Sequence, residues 1–107
     1  MAWLVRDAEV LASVEMADGR SDRRRGLLGR DDFDGVLRLR ARSVHTIGMR
    51  FAIDVALCDP DGTVRRVTTL KPWRVSRPRF SRTIAFEATA GTFRERNLRP
   101  GDVLEVR

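Results

Sequence analysis

The stretch from Asp54 to Leu70, DVALCDPDGTVRRVTTL, decides the fold class. Two runs able to form strands flank Asp59-Pro60-Asp61-Gly62, where the proline presets φ and the glycine tolerates positive φ. The chain reverses there, and the runs pair as an antiparallel hairpin. The same period-two patterning recurs outward from it. In Glu9 to Met16, the residues Val10, Ala12, Val14 and Met16 are expected on one face, with Glu9, Ser13 and Glu15 mainly on the other. In Val36 to Arg40, Leu37 and Leu39 oppose Arg38 and Arg40; in Asp102 to Arg107, Leu104 and Val106 oppose Asp102 and Glu105. Each reads as a strand with one wet face.

Helical signals are few. One short helix is expected from about Asp22 to Leu28, behind Ser21 and closed by Gly29; another begins at Thr92-Phe93-Arg94-Glu95, a capping-box pattern, before Pro100. Pro72 and Pro78 argue against a central strand between Lys71 and Ser81. The expected architecture is mainly β: an antiparallel sandwich or barrel of jelly-roll type carrying one or two short helices.

With 107 residues and 42% hydrophobic side chains, the chain is expected to form a single domain over residues 1–107. No apolar run approaches the roughly 18 residues of a membrane span. The start, MAWLVRDAEV, lacks the basic opening and uninterrupted apolar core of a signal peptide, so the protein reads as cytoplasmic. Cys58 has no second cysteine for a disulfide or a thiolate zinc site, and the single His and scattered acids show no close ligand spacing. Neither a metal nor a cofactor is expected, and the core must hold the fold alone.

The formal charge is +6, and its distribution is uneven. Between Asp61 and Glu87 there is no acid but there are seven bases, Arg65, Arg66, Lys71, Arg74, Arg77, Arg79 and Arg82, leaving 14 bases against 15 acids elsewhere. The whole positive excess therefore lies in one segment, which points to an anionic ligand or an acidic protein surface as partner. Within it Trp73 and Phe80 interleave with Lys71, Arg74, Arg77, Arg79 and Arg82, a composition able to stack on bases and neutralise phosphates, though no nucleic-acid motif accompanies it. Against a specific partner stands the bias of base usage, since 20 of the 21 basic residues are arginine.

Chemistry, if present, centres on Ser43 to Asp59, SVHTIGMRFAIDVALCD. Asp54 lies between Ile53 and Val55, and a buried acid needs hydrogen bonds or a cation, so it is expected to anchor the structure. His45 oriented by Asp54 forms an alternative catalytic pair for a small hydrolase or transferase. The missing part is a nucleophile, because Cys58 sits in an apolar run where a thiol is buried and inert. A helix start at Thr92 offers N–H groups to a carboxylate or phosphate.

The motifs Arg23-Arg24-Arg25-Gly26-Leu27-Leu28-Gly29-Arg30, His45-Thr46-Ile47-Gly48-Met49-Arg50-Phe51-Ala52-Ile53-Asp54, Asp61-Gly62, Glu87-Ala88-Thr89-Ala90-Gly91-Thr92 and Gly101-Asp102 occur in this order. Together they resemble the landmarks of the bacterial and archaeal domain of unknown function 192 family, over roughly residues 8 to 107. The resemblance implies a compact β domain with no agreed catalytic activity. It also implies an aromatic residue, often Trp, where this chain has His45, which weakens a general catalytic role for that position. Asp54, Gly62, Glu87, Gly91, Gly101 and Asp102 are accordingly read as structural. The leading expectation is a binding or interaction module, monomeric or weakly oligomeric. It contacts an anion through Lys71, Trp73, Arg74, Arg77, Arg79, Arg82 and Thr92, beside a pocket near His45 and Asp54. An accessory role in secretion or envelope assembly is a further reading that rests on the resemblance alone.

Overall fold

In the computed structural model, which describes residues 2–17 and 35–107, the Asp59 to Gly62 turn forms as its chemistry requires. The Gly62 N–H donates to the Asp59 carbonyl at 2.9 Å, and Asp61 Oδ1 accepts the Thr63 N–H at 2.9 Å. Among the described residues seven strands follow in chain order: β1 (Ala2–Arg6), β2 (Glu9–Met16), β3 (Val36–Arg40), β4 (Ile53–Cys58), β5 (Val64–Leu70), β6 (Ile84–Thr89) and β7 (Glu105–Val106). The single helical turn among the described residues, α1, is Thr92–Glu95. The helix expected from Asp22 to Leu28, with Arg23, Arg24 and Arg25, lies outside the described residues.

The strands form one curled sheet, a half-barrel, in the order β5-β4-β6-β3-β2-β1-β7. Pairing is antiparallel except between β2 and β3, which run parallel with Val14 opposite Val36. Period-two alternation fixes faces, not strand direction, so the patterning alone does not mark the one parallel pair. At one end the edge strands approach each other. Thr63 bridges Val103, Val64 N–H donates to the Asp102 carbonyl at 2.8 Å, and Leu104 N–H donates to the Gly62 carbonyl at 2.9 Å. The curl is thereby seamed where β5 begins and the segment before β7 passes.

Both faces of the central strands are covered. Inside the curl, Leu4, Leu11, Val14, Val36, Ala56, Cys58, Phe86 and Phe93 pack together; outside it, Leu37, Leu39, Ile53, Val55, Leu57 and Ala85 pack under Val44 and Met49. Every residue of β4 is buried as a result. On β6, Glu87 is fully buried on the outer side, in register with Val55 of β4 and Leu37 of β3. Strand β2 departs from its expected faces: Leu11 and Val14 point inward, while Val10 and Met16 are exposed. The register with β1 skips Leu11 between Ala12 and Val10, so a bulge reverses the alternation partway along the strand.

Asp54 fastens this core to α1. Its Oδ1 accepts the Thr69 hydroxyl at 2.6 Å, and its Oδ2 accepts the N–H groups of Gly91 at 2.9 Å and Phe93 at 3.0 Å. The capping box expected of Thr92 and Glu95 does not form. The N-cap is Gly91, in a left-handed conformation with φ 95° and no side chain, so Asp54 serves the first turn from another strand. Near the other end, Asp102 Oδ2 accepts Arg6 Nη1 at 3.1 Å and the Arg99 N–H at 3.0 Å, and Gly101 N–H reaches the Val64 carbonyl at 2.8 Å.

Four outcomes test this frame. Asp54→Ala leaves two buried N–H groups without an acceptor and should cost about 3 kcal/mol in denaturant unfolding. Asp54→Asn should lose clearly less, because Thr69 can reverse its hydroxyl toward an amide. Gly62 has φ 96°, and a Cβ there would stand 2.1 Å from the Leu104 carbonyl oxygen, a backbone atom. Gly62→Ala should lower Tm by about 10 °C or more, read by calorimetry. Cys58 is fully buried, and desolvation, with the Asp59 charge adding to it, pushes its thiol up to about 12. At pH 8 it should resist alkylation by iodoacetamide in the native protein and react only after denaturation.

Candidate binding surface

Loop residues 42–46 and 74–79 form a two-stranded ribbon that covers the outer face of β3, β6 and β4. His45 and Val75 form an antiparallel bridge, Ser76 N–H donates to the Val44 carbonyl at 2.8 Å, and Arg79 N–H donates to the Arg42 carbonyl at 3.0 Å. Pairing across the ribbon sorts its residues by side. Val44, Thr46 and Ser76 are buried toward the sheet, while Ile47, Trp73 and Val75 are exposed at 46%, 64% and 61%. An apolar patch of these three side chains is thus held on the surface, where an ordinary core-covering loop would turn them inward.

Thr46 organises the turn that presents Trp73. Its hydroxyl donates to the Lys71 carbonyl at 2.6 Å and accepts the Arg74 N–H at 2.9 Å, while its carbonyl accepts the Trp73 N–H at 2.9 Å. Trp73 is held in a left-handed conformation at φ 63°, costly for a bulky residue and sustained by these bonds. The sequence reading missed Thr46. Its only signal is a threonine inside an otherwise apolar covering segment, and the partners that give it meaning lie 25 to 28 residues away.

The basic run divides into two sets. Asp59 accepts Arg65 Nε at 2.6 Å and Arg79 Nη2 at 3.1 Å, and Arg66 donates to the Arg77 carbonyl, so three of the seven bases fasten the loop. Arg79, expected to bind ligand, is a structural member of this set. Lys71, Arg74, Arg77 and Arg82 are exposed and form no ion pair among the described residues. The first three flank the Trp73 patch in sequence and along the ribbon. Phe80, 97% exposed, stands near the other end beside Arg65 and Arg66.

His45 and Asp54 are not brought together. Asp54 faces the inside of the curl with Ala56 and Cys58, whereas His45 belongs to the ribbon on the outside, its Nδ1 accepting the Ile47 N–H at 3.3 Å. The depression that reaches Asp54 is lined by β5 and by residues 94–100, without His45. Beside Thr92, the N–H groups of Gly91 and Phe93 already serve Asp54, so this corner presents a carboxyl group where an incoming anion would need free donors. Among the described residues, no three His, Cys, Asp or Glu side chains converge as metal ligands, and no helix is long and apolar enough to cross a membrane.

Comparison with known proteins places this geometry in a family. A Sinorhizobium meliloti crystal structure, named as a candidate transcription regulator, superposes with a TM-score of 0.75 at 24% identity, covering 98% of this chain and 91% of that one. A Novosphingobium aromaticivorans protein of unknown function superposes with a TM-score of 0.79 at 15% identity, covering 97% of this chain and 82% of that one. At these identities the likeness is one of fold. No curated protein matches the chain. The model of the domain of unknown function 192 family (DUF192, uncharacterized ACR) matches residues 3–106, and the chain belongs to that family.

Proposed function

We propose that this protein is a non-enzymatic binding module whose outer ribbon engages an acidic protein surface. The observation that carries the reading is the exposed Trp73, held in a left-handed turn by Thr46 and flanked by Lys71, Arg74 and Arg77. Trp73, Val75 and Ile47 supply apolar contact area at low rotamer cost, and the neighbouring bases supply steering and register toward carboxylates. Catalysis finds less support. His45 and Asp54 lie on opposite sides of the sheet, and the Cys58 thiol is buried and neutral at physiological pH.

Binding of a fluorescein-labelled acidic peptide containing Glu, Asp and Leu, followed by anisotropy, tests the reading. Affinity should fall steeply between 50 and 200 mM salt, by roughly tenfold for a few charge contacts. Trp73→Ala should weaken it by about tenfold or more, as loss of a central aromatic anchor does. Arg74→Ser with Arg77→Ser should reduce both the affinity and its salt dependence. Unchanged binding in both variants would exclude the ribbon as the site.

A further inference from the structure

We infer that a groove at the ends of β3 and β6, apart from the Trp73 patch, is a binding site for an oligophosphate anion. The groove has a volume of about 630 Å³, and four of its lining residues are Arg38, Arg40, Arg42 and Arg82. Among the described residues, no acidic side chain lines it. None of the four arginines forms an ion pair among the described residues, and Arg40, Arg42 and Arg82 are exposed.

The arginines are mounted on fixed backbone. Arg38 and Arg40 are two residues apart on β3, so they share a face at a spacing of roughly 7 Å. Arg40 is in register with Ile84 of β6, which also lines the groove. Ala41 N–H donates to the Thr83 carbonyl at 3.2 Å, and the Arg42 carbonyl accepts the Arg79 N–H at 3.0 Å, tying the segment that carries Arg42 to the loop that carries Arg82. That loop is pinned in turn: Arg79 reaches Thr83 Oγ1 through Nε at 3.2 Å and Asp59 Oδ1 through Nη2 at 3.1 Å. Of the two carboxyl groups that flank the groove-lining Pro60, Asp59 is engaged by Arg79 and Arg65, and Asp61 accepts the Thr63 N–H.

The ligand class follows from charge and shape. Four like charges around one groove repel each other, and a single monoanion leaves most of that repulsion in place. Linked phosphates bring several charges at once and accept the paired N–H groups that a guanidinium presents. The volume falls within the range of small-molecule sites. Among the described residues no aromatic side chain lines the groove, so they offer nothing on which a nucleic-acid base could stack. The rest of the lining includes Ala41, Pro60 and Ile84, apolar surface against which charge contacts are strengthened.

Calorimetric titration of the full chain with tripolyphosphate, pyrophosphate and orthophosphate tests the assignment. One site per chain is expected, with affinity rising along the series from orthophosphate to tripolyphosphate. ATP should match tripolyphosphate and AMP should bind far more weakly, because the phosphate chain alone is held. Arg40→Ser with Arg82→Ser, both exposed side chains, should weaken tripolyphosphate by at least about 30-fold while the thermal melt stays within a few degrees. Arg74→Ser with Arg77→Ser should change it less than about threefold, which separates this groove from the Trp73 surface whether or not the latter binds acidic peptide. Several weak sites per chain, equal losses in the two double variants, or tighter binding of a thymidine dodecamer than of tripolyphosphate would each overturn the proposal.

Discussion

The carboxyl group of Asp54 is the contact on which the remaining geometry depends. It lies on β4, the most deeply buried strand, and an acid there is tolerated only if its hydrogen-bonding capacity is filled. Two of its three donors are backbone N–H groups at the start of α1, and the third is the Thr69 hydroxyl of the neighbouring edge strand β5. Holding Gly91 and Phe93 sets Phe93 into the interior of the curl, where it is among the largest fully buried side chains. The segment after α1 is then delivered to Val64 and Gly62, and the two edges of the sheet meet. Central strand, interior plug and seam are consequences of one filled acceptor set.

A second acid, Asp59, organises the surface as Asp54 organises the core. It binds Arg65 from β5 and Arg79 from the ribbon loop, joining the hairpin turn to the cover of the outer face. Both pairs are partly exposed, so their value lies more in fixing geometry than in net stability. With Arg66 held on the Arg77 carbonyl, three bases of a uniformly positive run are tied into the fold, and the four left over fall into two places. Lys71, Arg74 and Arg77 go with Trp73; Arg82 joins Arg38, Arg40 and Arg42. A charge excess that looks like one patch in sequence is divided between two surfaces of different character, one apolar and cationic, the other a cationic groove.

The parts legible in sequence are those fixed by short-range physics. The hairpin around Pro60 and Gly62, and the strand limits Glu9–Met16 and Val36–Arg40, follow from turn chemistry and period-two patterning. The faces of β2 were not legible, because the bulge that turns Leu11 inward is defined by its register with β1. Thr92 carries a valid capping-box pattern, yet Asp54, 37 residues before Gly91, takes the N–H groups instead. A local signal loses there to a tertiary acceptor with two oxygens. Arg38 and Arg40 read correctly as the wet side of a strand, but their meeting with Arg42 and Arg82 depends on the pairing of β3 with β6.

By itself, then, the amino-acid sequence determined a mainly β chain, the position of its tightest turn, the seat of its charge excess and the family to which its motifs point. Those properties depend on neighbours within a few residues, whose backbone preferences and alternation act before any distant contact forms. Only the tertiary structure decided which side of the sheet each rare residue occupies, that His45 and Asp54 face opposite ways, and which arginines are tied and which are left exposed. Such choices depend on strand order and register, and these are settled by packing both faces of β4 and by filling every buried acceptor at once.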